Sequence, residues 1–173
     1  MRNFILIFML AFGFLTSKAQ ENIKFESTAS IGTFSFLTGL VMVDPGPGWE
    51  GYNLPREQKT GIQAATINGI SISEFFHIGI GAGYANFDKK NGLMLFGDIR
   101  ADFSKKPFAL FVYANPGYSH FWNQYDGGTG TAMFDFGFGA RYKILEKSKA
   151  LISVGLLCMQ QSSYISVKLG YTF

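Results

Sequence analysis

Residues 163–173 sort into two rows by parity: Ile165, Val167, Leu169, Tyr171 and Phe173 on one, Tyr164, Ser166, Lys168, Gly170 and Thr172 on the other. An extended strand places alternate residues on opposite faces, so one face asks for lipid or core and the other tolerates charge. A tilted strand of this length crosses the hydrocarbon layer of a bilayer. The same alternation recurs along the chain, and it predicts an all-β protein, an eight-stranded antiparallel up-and-down transmembrane β-barrel after a cleaved signal peptide.

The start of the chain supports export. Arg2 precedes an apolar run from Phe4 to Leu15, and Ser17-Lys18-Ala19 offers small residues for cleavage. A run this short, closed by Lys18 and Gln20, suits a secretory signal better than a spanning helix. Residues 1–19 are therefore expected to be the signal peptide and 20–173 the barrel domain. Removing Arg2 and Lys18 takes the formal charge from +3 to +1, because residues 1–19 hold no acidic residue. Basicity thus gives no reason to expect nucleic acid as a partner. Cys158 is the single cysteine, which excludes an intramolecular disulfide framework and a cysteine-based zinc site.

Alternating stretches between turn signals predict strands at 27–41, 61–73, 75–87, 93–103, 108–119, 131–144, 149–159 and 163–173. With both ends of the barrel on the periplasmic side, outer connections fall at 44–60, 88–92, 121–130 and 160–162, and short inner ones at 73–74, 104–107 and 145–148. The fourth strand sets the orientation. Asp98, Arg100 and Asp102 share one parity, opposite Leu93, Leu95, Ile99, Ala101 and Phe103. An Arg facing lipid near the midplane costs roughly 2–4 kcal/mol, so the charged row turns inward. Asp135 and Arg141 on the sixth strand, His77 on the third and Lys168 on the eighth follow the same parity. A soluble ligand-carrying barrel would show the reverse, with an apolar cavity and a polar exterior. The expected lumen network is Asp98, Arg100, Asp102, Asp135, Arg141, Lys168 and His77, three acids against three bases, with inward glycines making room for Arg100, Phe111, Tyr113, Arg141 and Lys168. The pairing of acids with bases depends on barrel shear and stays open at this stage.

Stretches such as Thr66-Ile67-Asn68-Gly69, Ile78-Gly79-Ile80-Gly81-Ala82-Gly83-Tyr84, Phe138-Gly139-Ala140-Arg141-Tyr142 and Val167-Lys168-Leu169-Gly170-Tyr171-Thr172-Phe173 carry a resemblance. The chain resembles the small eight-stranded outer-membrane β-barrel family, OmpA/OmpX-like, and the outer membrane protein beta-barrel domain proteins of Gram-negative bacteria. The resemblance implies export to the outer membrane and recognition of the last strand, with Tyr171 and Phe173 as assembly signal, by the barrel-assembly machinery.

Chemistry-bearing residues are few. His77 and His120 are the only histidines. A symmetric turn near Asp88 to Asn91 would set His77 opposite Asp102, which reads as an interior hydrogen bond rather than a catalytic pair, since no nucleophile stands beside it. Ser119 and His120 are adjacent, so on a strand they point to opposite faces and cannot act together unless the chain leaves the strand and finds an acid such as Asp126. Gly79, Gly81 and Gly83 run on period two and open no helix, unlike a dinucleotide loop, and the residues around Asp126-Gly127-Gly128 lack calcium-loop spacing. No catalytic residue, metal or cofactor is expected. Trp49, Tyr52, Trp122 and Tyr125 in the outer loops are candidate contacts for a surface partner or anchors at the membrane interface. The expected role is non-enzymatic, structural or surface-interacting, with a side-chain-filled interior. The alternatives are a porin-like small-solute channel and a lipid-A-modifying barrel enzyme.

Overall fold

The computed structural model describes residues 23–39, 60–72, 75–122, 129–145 and 148–173. Eight strands follow one another in chain order: β1 (Ile23–Gly39), β2 (Thr60–Ile72), β3 (Phe76–Phe87), β4 (Lys90–Asp102), β5 (Phe108–Trp122), β6 (Thr129–Lys143), β7 (Lys149–Met159) and β8 (Ser162–Thr172). Each pairs antiparallel with its neighbours, and β1 closes on β8. The result is the expected up-and-down barrel. The expected signal peptide and positions 44–59 of the expected first outer connection lie outside the described residues, while Thr60 already belongs to β2.

Closure has a measurable stagger. The paired row Lys24, Ser71, His77, Arg100, Tyr113, Gly137, Gly155, Ser166 leaves β1 and rejoins it at Phe34, ten residues further along. Strands in such a barrel are strongly tilted, and an eight-stranded lumen is just wide enough for side chains to fill.

Several strands run longer than the alternation alone suggests. β4 begins at Lys90 because the connection from β3 uses only Asp88 and Lys89, both at positive φ, 49° and 62°. Gln160 and Gln161, at 50° and 51°, make the same two-residue connection from β7 to β8. Two successive left-handed residues give the turn whose twist matches the flanking strands. The Gln160 turn is tied down locally: its backbone N–H donates to Thr131 Oγ1 at 3.0 Å, and its amide Nε2 reaches Ser119 Oγ at 3.3 Å. β5 continues to Trp122 because Phe121, fully buried, keeps its inward place in the lumen.

The inside-outside assignment holds on every described strand. Inward residues such as Phe34, Met94, Asp98, Arg141 and Tyr164 are buried, whereas Phe25, Ile31, Ile80, Leu95, Phe138 and Leu169 are exposed. Exposed aromatic residues mark both ends, with Phe25, Phe76, Phe103, Phe108, Tyr142 and Phe173 at the end shared by the first and last strand termini and Tyr84, Tyr118 and Trp122 at the other, while Phe136 and Phe138 lie mid-wall on β6. An apolar exterior between aromatic girdles is the surface a bilayer requires of a barrel.

Inward glycines are sites where large neighbours or backbone come close. A Cβ at Gly137 would meet the carbonyl oxygen of Val154 and the Cα of Gly155, main-chain atoms that cannot swing aside. Gly97, on the outer face, has no heavy atom nearer than 3.9 Å to such a Cβ. Gly137→Ala is expected to lower stability by about 1–3 kcal/mol. Gly97→Ala should stay within about 0.5 kcal/mol of the parent, both read from urea unfolding of the barrel in detergent micelles.

Candidate functional site

The lumen is divided along its length. Toward the β3–β4 and β7–β8 turns it is filled by Phe34, Phe87, Met94, Phe121, Met159 and Tyr164, with other apolar side chains packed among them. Phe34 stacks on Phe87 with ring centroids 5.7 Å apart, and the Tyr164 ring meets both edge-on at 5.3 and 5.5 Å. Offset and edge-to-face arrangements of this kind suit the aromatic quadrupole. These residues lie at the loop ends of their strands, on the inward parity.

The other half holds the charges, and register decides who meets whom. His77 pairs with Arg100 in the β3–β4 ladder, and its Nδ1 donates to Asp98 Oδ2 at 2.8 Å. The expected His77–Asp102 contact is thus corrected. The two-residue turn at Asp88-Lys89 moves the ladder by two residues, preserving the face but changing the partner. Arg100 stands 3.5 Å from Asp98 and lies over the Phe111 ring at 5.3 Å. Asp102 instead takes Arg141, Nε to Oδ2 at 2.5 Å, and the same guanidinium donates to the Ser104 carbonyl at 2.8 Å.

Asp135 is the most connected carboxylate. Lys168 Nζ lies 2.6 Å from its Oδ2, while Tyr113 Oη and Ser166 Oγ donate to Oδ1 at 3.0 and 3.3 Å. Lys168 also sits 4.0 Å from the centroid of the Tyr113 ring. A further pair, Glu26 with Lys149 at 2.5 Å, lies near the terminal end and was not anticipated from the sequence. Its signal was present, since both residues share the inward parity of their strands. Charges buried this deeply need counter-ions, and each has one, although Arg100 Nε and Asp102 Oδ1 are buried with no protein hydrogen-bond partner.

The spaces left between these side chains are small. One, of about 40 Å3, is bordered by Asp98, Arg100, Tyr113 and Lys168, and another, of about 10 Å3, by His77, Arg100, Asp102 and Arg141. The larger has room for about three water molecules and the smaller for about one. Ser71 pairs with His77 in the β2–β3 ladder, yet His77 Nε2 has no protein partner, so no serine is poised on it. A nucleophile and its base need that contact and room for a substrate. Ser119 is fully buried and bonded to Thr131 and Gln160, whereas His120 lies on the other face against Trp122, ring centroids 5.2 Å apart.

Of the residues expected in outer loops, Trp122 is the last residue of β5, half-exposed on the outer wall, rather than a loop residue. Trp49, Tyr52 and Tyr125 lie outside the described residues, as does Asp126. Tyr171 and Phe173 project outward at the terminal end, their rings 6.4 Å apart.

Removing one member of the Asp135–Lys168 pair leaves the other charge buried alone. Asp135→Ala is expected to cost about 3–5 kcal/mol. Combining it with Lys168→Met should recover much of that loss, a non-additivity visible in a double-mutant cycle of urea unfolding.

No protein-family model matches the sequence, and no curated protein matches it. Solved structures share its architecture. The N-terminal β-barrel domain of Pseudomonas aeruginosa OprF superposes with a TM-score of 0.58 at 13% identity, covering 86% of this chain and 97% of that one. Neisserial surface protein A (NspA) gives a TM-score of 0.63 at 8% identity, covering 87% and 97%. At such identities the likeness is one of backbone architecture, and the chain has the fold of the small eight-stranded outer-membrane barrels.

Proposed function

We propose that this protein is an integral outer-membrane barrel of a Gram-negative bacterium, non-enzymatic and non-conducting, with a structural or surface-interaction role. The observation that carries the reading is the inversion of polarity: paired charges and an aromatic plug inside, an apolar wall between aromatic girdles outside. Lipid is the solvent such a wall favours, and the side chains that fill the lumen among the described residues support a closed interior over a solute path. Residues 1–19 serve as the export signal. The last strand, with Tyr171 and Phe173, is the segment the barrel-assembly machinery engages. Contact with a surface partner is assigned to the outer connections, with Trp49, Tyr52 and Tyr125 of the sequence and Trp122 at the end of β5 as the candidate residues.

Two experiments test this. The protein recovered from the outer-membrane fraction should migrate faster unboiled than boiled on a gel, and in planar bilayers it should show no single-channel steps above background. Recovery from the soluble periplasm without a mobility shift overturns the membrane assignment. Reproducible conductance overturns the closed lumen in favour of a small-solute channel.

Deleting Phe173 separates assembly from folding. In cells the heat-shifted form should fall sharply, while the purified deletion variant refolded into detergent micelles should still reach it, as gel mobility reports.

A further inference from the structure

The outward rows of β3 to β8 are apolar through the middle of the wall, but β1 and β2 break the pattern. Ser27, Thr33, Thr66 and Asn68 all lie on the outward parity of these two strands. Asn68 pairs with Ser27 on one side and with Ile80 of β3 on the other, which places it well inside the apolar wall. Ser27 Oγ donates to Asn68 Oδ1 at 2.6 Å. Among the described residues none accepts from the Asn68 Nδ2 hydrogens, and that amide is exposed. A hydrogen-bond donor left in hydrocarbon is costly, and polar groups at membrane depth are commonly matched across an interface.

Beside Asn68 the wall is recessed. A groove of about 730 Å3 has Ala29, Ala64, Thr66 and Ala82 at its floor, with Ile31, Leu169 and Tyr171 along one rim and Tyr84 and Leu93 along the other. Ile31, 65% exposed, pairs with Ala64 in the β1–β2 ladder, so this ridge stands beside the groove at the same level of the barrel.

We propose that the β1–β2 face binds a second copy of this chain, side by side in the membrane. Two copies inserted in the same sense are related by a two-fold axis along the membrane normal, so every residue meets partner residues at its own depth. An amide carries both a donor and an acceptor, so two Asn68 side chains facing across the axis complete each other. The same rotation sets each Ile31 ridge against the recess of the other copy, filling space that small residues leave open. A lipid tail can fill the groove but has no atom to accept the Asn68 hydrogens.

The inference rests on the membrane-spanning reading above, and the test keeps the two apart. In a Cys158→Ala background, Asn68→Cys oxidised in native membranes should give a covalent dimer, whereas Val112→Cys, on the opposite wall, should stay monomeric. Adding Ala64→Trp, which fills the groove, should remove most of the Asn68→Cys cross-link while the heat-dependent gel shift remains. Absence of that shift in the unsubstituted protein overturns the membrane reading itself. A shifted, folded Asn68→Cys protein that cross-links no better than Val112→Cys overturns the pairing alone. Should a variant fail to fold, native mass spectrometry of the unsubstituted protein from detergent decides: a dimer supports the proposal. A monomer, with or without a retained phospholipid, overturns it, and retained lipid would assign the groove to an acyl chain.

Discussion

The pairing of β1 with β8, running from Thr28 opposite Thr172 to Gly39 opposite Ser162, turns a meander of hairpins into a cylinder. In hydrocarbon an open sheet edge would expose a row of unpaired N–H and C=O groups, so closure is what makes a spanning sheet possible at all. It also sets the stagger. A ten-residue offset around the barrel brings β6, β7 and β8 to heights where Asp135 meets Lys168, and β4 and β6 to heights where Asp102 meets Arg141. A different offset would keep every charge inside but change its partner. The ion pairs are therefore consequences of the closing register, and they reinforce it, because shifting the sheet would strand buried charges.

The lumen's division into an aromatic plug and a charged ladder follows from where bulky inward residues fall along the strands. Phe34 and Phe121 come late in strands running toward the outer loops, Met94 early in one returning from them, and Phe87, Met159 and Tyr164 flank the two tight turns. Their rings converge where the chain passes through those turns, and Gln160 is folded in among them with no exposed surface. Below, Gly155 leaves room for the Tyr113 hydroxyl and Gly32 for the Lys168 side chain, both of which reach Asp135. Small and large inward residues thus complement each other around the barrel, which is how a narrow barrel interior becomes filled.

The face made by β1 and β2 departs from this economy. Elsewhere the outward rows are built for lipid tails, yet here small and polar residues sit side by side on one surface. Such a surface gains little from lipid and much from another protein surface that matches its depth and shape.

Strand number, inward parity and the charged lumen were readable from the chain because alternation has a period of two regardless of what a strand pairs with. Asp98, Arg100 and Asp102 could be turned inward from sequence alone, since an Arg facing lipid is penalised whichever strand lies beside it. Strand ends were less legible: Asp88-Lys89 and Gln160-Gln161 hold positive φ without glycine, so the sequence marks a turn near each pair but not where the flanking strands stop and start. That two-residue uncertainty put Arg100 rather than Asp102 opposite His77, and the His77 ring then reaches diagonally to Asp98. The Glu26–Lys149 pair and the groove beside Asn68 join residues far apart in sequence, and only a closed sheet with one stagger brings them together. By itself, then, the sequence determined which side chains face inward and which face out, because that is a local property of each strand. Which inward charges meet, and which outward residues share a surface, was decided by the tertiary structure, because both depend on the register at which eight strands close.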